Sequence, residues 1–202
     1  MNLTSTQSYR IVCYLLEHPR ANILRISKAT GVSYGWSNEV VNFLKSAGIV
    51  SVSWRRCDLV DAIRLLEILA FQRPFDKLTA RSFNLEALSI AEGESMLRES
   101  CRKERLRYGL TVFSGLRRFM EHYITYPTIH AYVEDIQISD RIPKGNGPVS
   151  INLLSPDHSN ILDGSVEVDG FSVCSRAQVI IDLFSSGLGR DAAIKLVEMV
   201  KR

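Results

Sequence analysis

Apolar residues in the first sixty positions recur at steps of three and four, then switch to every second residue. Ile11, Val12, Leu15 and Leu16 form one face of a helix from about Ser8 to Glu17, which Pro19 stops. Ile23, Leu24, Ile26 and Ala29 mark a second, short helix. The turn Thr30-Gly31-Val32-Ser33 follows, and Trp36, Val40, Val41 and Leu44 mark a third helix that ends at Ala47-Gly48. Helix, tight glycine-containing turn, helix is the helix-turn-helix arrangement. The alternation from Ile49 to Trp54 then predicts a strand, with Arg55-Arg56 at the tip of a short wing and Cys57 to Val60 returning. The expectation is therefore a winged helix. Asp61 to Phe71 is a strongly apolar amphipathic helix that closes or links this domain, taken as residues 1–72.

Arg73-Pro74 breaks the pattern. Beyond it, Arg81 to Leu88 is read as a strand and Glu94 to Arg107 as a charged helix. Ser114 to Tyr123 reads as a helix with Ser114 as N-cap. Strands are expected over Ile129 to Val133 and Val149 to Leu154, with residues 144–148 as a turn or mobile loop and Ser155 to Gly164 as a polar loop. Val166 to Val173 reads as a hairpin bent at Asp169-Gly170. Ser175 caps a helix through Phe184, Gly187 and Gly189 break it, and Arg190 to Lys201 forms a terminal helix. The predicted fold class is α+β: an N-terminal winged helix-turn-helix followed by a mixed α+β domain over residues 73–202.

Composition changes this picture little. The 202 residues are 46% hydrophobic and 23% charged, as in an ordinary globular protein. No apolar run approaches the roughly 18 residues of a membrane span, and MNLTSTQSYR has no signal-peptide pattern. A cytoplasmic protein without membrane contact is expected, its four scattered cysteines reduced. Charge is more informative. Residues 1–60 hold seven Lys/Arg against three Asp/Glu, and residues 61–202 hold eighteen against nineteen. The positive balance thus sits with the helix-turn-helix, where phosphate contacts need it.

A recognition helix packs one face and offers the other to the major groove. If the third helix starts after Ser33, then Val40, Val41 and Leu44 fall inward. Tyr34, Asn38, Asn42 and Lys45 fall near the opposite face, with Ser37 as a further candidate contact. Asn bonds adenine bidentately; Lys and Ser reach base edges or phosphate. Ser33 fits an N-cap that also offers a backbone N–H to phosphate, and Gly35 leaves the helix start open. Arg25 and Lys28 on the preceding helix are placed to straddle phosphates, and Arg55 and Arg56 to reach a second backbone or the minor groove. The plainer readings stand beside these: a solvated polar face, Trp36 packed rather than presented, and a winged helix that binds protein without sequence-specific DNA contact.

Catalytic chemistry is not indicated. His18, His122, His130 and His158 occupy no metal-ligand spacing, and no P-loop, GxGxxG or GxSxG is present. His18 suits a helix C-terminus and His158 a solvated loop. Glu167 and Asp169 place two carboxylates on one side of a strand, but Gly164-Ser165 directly precede them, leaving no room for the helix a nucleotidyltransferase needs upstream. They read as an exposed hairpin face. Arg98, Arg102, Lys103, Arg105 and Arg107 are interleaved with Glu94, Glu99 and Glu104, the pattern of an internally paired helix face. No enzyme activity, metal or cofactor is expected.

The second half adds a resemblance. LTVFSGLRRF (110–119), HAYVED (130–135), VSINLLSPD (149–157) and DGFSVCSRAQVIIDLFSSGLGRDAAIKLVE (169–198) follow one another. This order is similar to the AbiEi antitoxin family of type IV toxin–antitoxin systems, winged-helix transcriptional regulators. The winged helix would match residues 8–60, and the closing segment matches at Asp169-Gly170, Gln178, Asp182-Leu183, Gly189-Arg190 and Ala192-Ala193. The resemblance covers most of the chain in short, mainly hydrophobic segments, with residues 73–107 unmatched. It implies an autorepressor bound to double-stranded DNA at its own promoter. It also implies an antitoxin role where a nucleotidyltransferase-like toxin is encoded nearby, and no catalysis. The residues themselves give the closing segment a structural role, with Gln178 and Asp182 bonding a neighbouring backbone.

Overall fold

The structure, a computed structural model, describes residues 1–54, 56–121 and 126–201. The chain is mixed α+β, with nine α-helices and two β-sheets among the described residues. It divides into two compact units, Met1–Pro74 with Leu183–Arg202, and Phe75–Asp182. The C-terminal helix, Arg190–Lys201, had been expected within a second domain of 73–202. It belongs instead to the first unit.

The first unit opens with α1 (Thr6–Glu17), whose Ile11, Val12, Leu15 and Leu16 are buried as the spacing predicts. A two-residue strand, β1 (Arg20–Ala21), leads into α2 (Ile23–Thr30), which Asn22 caps by accepting the Arg25 N–H at 2.7 Å. Gly31 ends α2 in the left-handed region, φ 68°, where a residue without Cβ costs least. α3 (Tyr34–Ser46) buries Val40, Val41 and Leu44. The antiparallel strands β2 (Val50–Ser53) and β3 (Arg56–Leu59) follow, and β1 adds to β3 to give the order β1-β3-β2. α4 (Ala62–Gln72) is capped by Asp61. Arg73 at its end is buried, its guanidinium 5.4 Å from the Tyr9 ring centroid. The C-terminal helix packs on α1, and its Ile194 and Val197 line a small cleft with Ala62 and Leu66 of α4. One expectation for α2 is corrected. Only Ile26 of its apolar pattern is buried, while Leu24 is 54% exposed.

The second unit is a six-stranded mixed sheet with helices. Its strands are β4 (Thr79–Asn84), β5 (Tyr108–Thr111), β6 (Thr128–Val133), β7 (Ser150–Leu154), β8 (Val166–Val168) and β9 (Phe171–Val173), in the order β4-β7-β6-β5-β9-β8. Parallel pairs, β6 with β7 and β5 with β9, alternate with antiparallel ones. Leu85, Leu97, Leu110, Ile129, Ala131, Val133, Ile151 and Leu153 build a core between the sheet and α5 (Ile90–Glu104). α5 starts four residues before the predicted point because Ser89 accepts the Glu92 N–H while Glu92 accepts the Leu88 N–H. This reciprocal arrangement is close to a capping box.

Further expectations are corrected. Ser114 is no N-cap: it is buried inside α6 (Val112–Phe119), which follows β5 without a loop. The predicted end of that helix, at 122–123, lies outside the described residues. Residues 144–148 are held in place, with Gly145 N–H donating to Asn84 O and Gly147 N–H to Leu85 O, each at 3.1 Å. The segment 155–164 contains α7 (Asn160–Asp163) with buried Ile161 and Leu162. The hairpin at Asp169-Gly170 is as predicted, both residues at positive φ (51° and 75°), and Ser175 caps α8 (Arg176–Ser185) through the Gln178 N–H.

Candidate nucleic-acid interface

The surface of α3 bears most of the predicted contacts. Tyr34 is 55% exposed, Asn42 and Lys45 are exposed, and Asn38 is half-buried. Steps of three and four residues hold them on one side of the helix. Ser33 sits outside the first turn as the N-cap, accepting the Trp36 N–H at 3.3 Å. Next to it, a side chain at Gly35 would meet nothing within 4 Å. Arg25 and Lys28 are exposed on α2, three residues apart. Ser37 is corrected: it is fully buried. It shares helical spacing with Val40, Val41 and Leu44, so its hydroxyl points inward. Trp36 is half-buried, with Nε1–H donating to Ser8 Oγ at 3.2 Å, a packing role.

The hairpin departs further from expectation. Ser53 pairs with Arg56, so Arg56 is already in β3 and not at the tip. Arg55 lies outside the described residues. Arg56 is exposed and its Nε sits 2.7 Å from Asp58 Oδ1. Trp54, read from sequence as the end of a strand, stands at the turn with φ 51° and 101% exposure. Two open clefts share it as a wall. One, about 370 Å³, is lined by Leu24, Tyr34, Val52 and Arg56. The other, about 570 Å³, is lined by Arg20, Arg25, Ser53 and Arg56. Neither Trp54 nor Leu24 is among the contacts expected from sequence, although both are exposed; a tryptophan directly before a hairpin's basic pair was the available signal. Beneath them, burial and Asp58 push the Cys57 thiol up to about 11, which leaves it protonated and unreactive near neutrality.

The other candidates resolve into structural roles. Asp182 is fully buried and accepts from Thr111 Oγ1 (2.6 Å), Gln178 Nε2 (2.9 Å) and Tyr132 OH (3.1 Å). These residues join β5, β6 and α8. Glu94, expected to pair along its own helix, turns inward to Arg117 and Arg118. Burial pushes its carboxyl up, against Arg117, Ser114 and Arg118, which favour the ionised form. Glu99 does pair with Arg98 and Arg102, and Glu104 with Arg141. His18 caps α1 and stacks on Tyr14. His122 lies outside the described residues. His158, expected to be solvated, is buried, with Nε2 3.7 Å from Asp157 Oδ2. Glu167 and Asp169 are exposed, Asp169 facing Arg118 at 3.4 Å. Among the described residues no group of three His, Cys, Asp or Glu side chains is arranged to hold a metal ion, and no helix is long and apolar enough to cross a membrane.

No protein-family model, no curated protein and no solved structure matches the chain.

Proposed function

We propose that this chain is a DNA-binding transcriptional regulator without catalytic activity. Residues 1–72 act as a winged helix: α3 enters the major groove, α2 lies across the backbone, and the β2–β3 hairpin is the wing. The single observation behind this reading is the strip of exposed Tyr34, Asn42 and Lys45 with half-buried Asn38, beside the exposed cations Arg25 and Lys28. In this arrangement Asn38 and Asn42 address base edges, while Arg25, Lys28, Lys45 and Arg56 address phosphates. With the AbiEi resemblance, the target is the gene's own promoter and the partner a nucleotidyltransferase-like toxin encoded beside it.

The test is anisotropy of a labelled duplex from the gene's upstream region, titrated at several salt concentrations. Four phosphate contacts give a slope of log affinity against log salt of about −3 to −4. Asn38→Ala should weaken the upstream site by about 5- to 100-fold and leave an unrelated duplex nearly unchanged. Lys45→Ala should weaken both alike and shorten the salt slope by about one. An upstream duplex bound no better than an unrelated one, with no loss on Asn38→Ala, overturns the assignment and leaves the protein-interaction reading.

A further inference from the structure

We propose that Trp54 is a wedge for the DNA minor groove: its indole inserts at a base step while Arg20, Arg25 and Arg56 hold the phosphates that border the groove. This inference rests on the DNA-binding reading above and names a contact within it that polarity alone does not suggest.

Three observations carry it. First, the whole indole is in water, at 101% exposure, although the unit has a well-filled core beside it. Second, its backbone is held at φ 51°, at the turn directly after Ser53, which pairs with Arg56. The chain's other tight hairpin places Asp169 and Gly170 at its turn, residues that tolerate this region, whereas tryptophan does not do so readily. Among the described residues of the unit, no packing rewards either the exposure or the conformation. Third, the surroundings select the partner. Of the two clefts that share Trp54, one is lined by Arg20, Arg25 and Arg56, and the other by the exposed Leu24 and Tyr34 together with Arg56. A polyanion with apolar ring faces between its charges matches both walls; an apolar protein groove matches only one. Arg56 is engaged by Asp58 at 2.7 Å, an exposed pair that a phosphate can exchange at small cost. Apolar side chains that part base steps, with arginines in the narrowed groove, are a recurrent way to bend a duplex toward the major groove. Here the bend would bring DNA around toward α3.

The chain's two tryptophans make the test direct. Trp36 is half-buried and bonded to Ser8, so the acrylamide-accessible emission belongs to Trp54. The full chain is titrated with the upstream duplex at fixed salt while the anisotropy of the labelled DNA reports binding. The wedge requires the Trp54 emission to be quenched and shielded from acrylamide in step with binding. It also requires Trp54→Ala to lose about tenfold or more in affinity, Trp54→Phe to stay within a few-fold, and end-to-end energy transfer to report less bending with Trp54→Ala. Unchanged melting temperatures confirm that both variants are folded, as expected for a tip residue. If anisotropy reports binding while Trp54 stays accessible and Trp54→Ala binds as well as the parent, the wedge is overturned and the DNA-binding reading stands. If no duplex binds above the unrelated control, both fall. Shielding of Trp54 by an acidic protein but not by DNA overturns the wedge in favour of a protein-binding surface.

Discussion

His130 shows what burial does to a single titratable side chain here. It is 4% exposed, its ring centroid 5.7 Å from that of Phe75 and its Nε2 3.1 Å from Asn152 Nδ2. Desolvation pushes it down to about 4 from the 6.5 of a solvated imidazole. The native state is therefore neutral where the unfolded chain already takes a proton, so stability is lost as pH falls from about 6.5 toward 4. Between pH 7 and pH 4.5 that loss is on the order of 2 kcal/mol. Urea denaturation at the two pH values should show His130→Gln losing less stability than the parent by roughly this amount; equal losses would refute the claim. The sequence did not reveal which polar residues turn inward. Ser37 and Asn38 are neighbours of similar polarity, yet the 100° step along α3 buries the first and leaves the second at the surface. Asp182, expected with Gln178 to bond a neighbouring backbone, is held by side chains instead, because Thr111 and Tyr132 come from strands 71 and 50 residues away.

Elements with a sustained period were legible: α1, α3, α4 and the C-terminal helix fall where their apolar spacing placed them, within two residues at either end. Short ones were not. β1 has two residues and no period of its own; it exists because Arg20 and Ala21 find Asp58 and Cys57 on β3. β5 was hidden because it runs straight into α6 at Val112, which is held at φ 52°. A β-branched residue in that region costs on the order of 1–2 kcal/mol. The buried Thr111–Asp182 bond and the close approach of Gly115 to Val179 fix the corner on both sides. Two glycines separate packing from openness at this scale. A Cβ at Gly147 would run into the backbone oxygens of Leu85 and Ala87, which cannot yield. Gly147→Ala should cost about 1–3 kcal/mol in chemical denaturation. Gly35→Ala, with open space around it in a helix, should instead gain about 0.5–1 kcal/mol. A neutral result at Gly147 would contradict the pinned loop.

At the scale of the molecule, the unit that carries the candidate interface is discontinuous in sequence. Ala193, Leu196 and Val197 are buried, and Ile194 and Val197 line the cleft beside Leu66. Removing residues 188–202 should therefore lower the stability of the first unit, on the order of 5 kcal/mol for the apolar surface uncovered. The measurement is loss of its thermal transition and, on the proposed function, of duplex binding, although no residue of α3 is altered. Retention of both would show that the C-terminal helix is dispensable. Polar patterning alone could not reveal this, because a terminal amphipathic helix presents the same stripe to any partner. The discontinuity also bears on synthesis. α4 ends at Gln72, yet the helix that completes the same unit begins only at Arg190. A chain terminated within the second unit therefore carries α3 without the support that holds it.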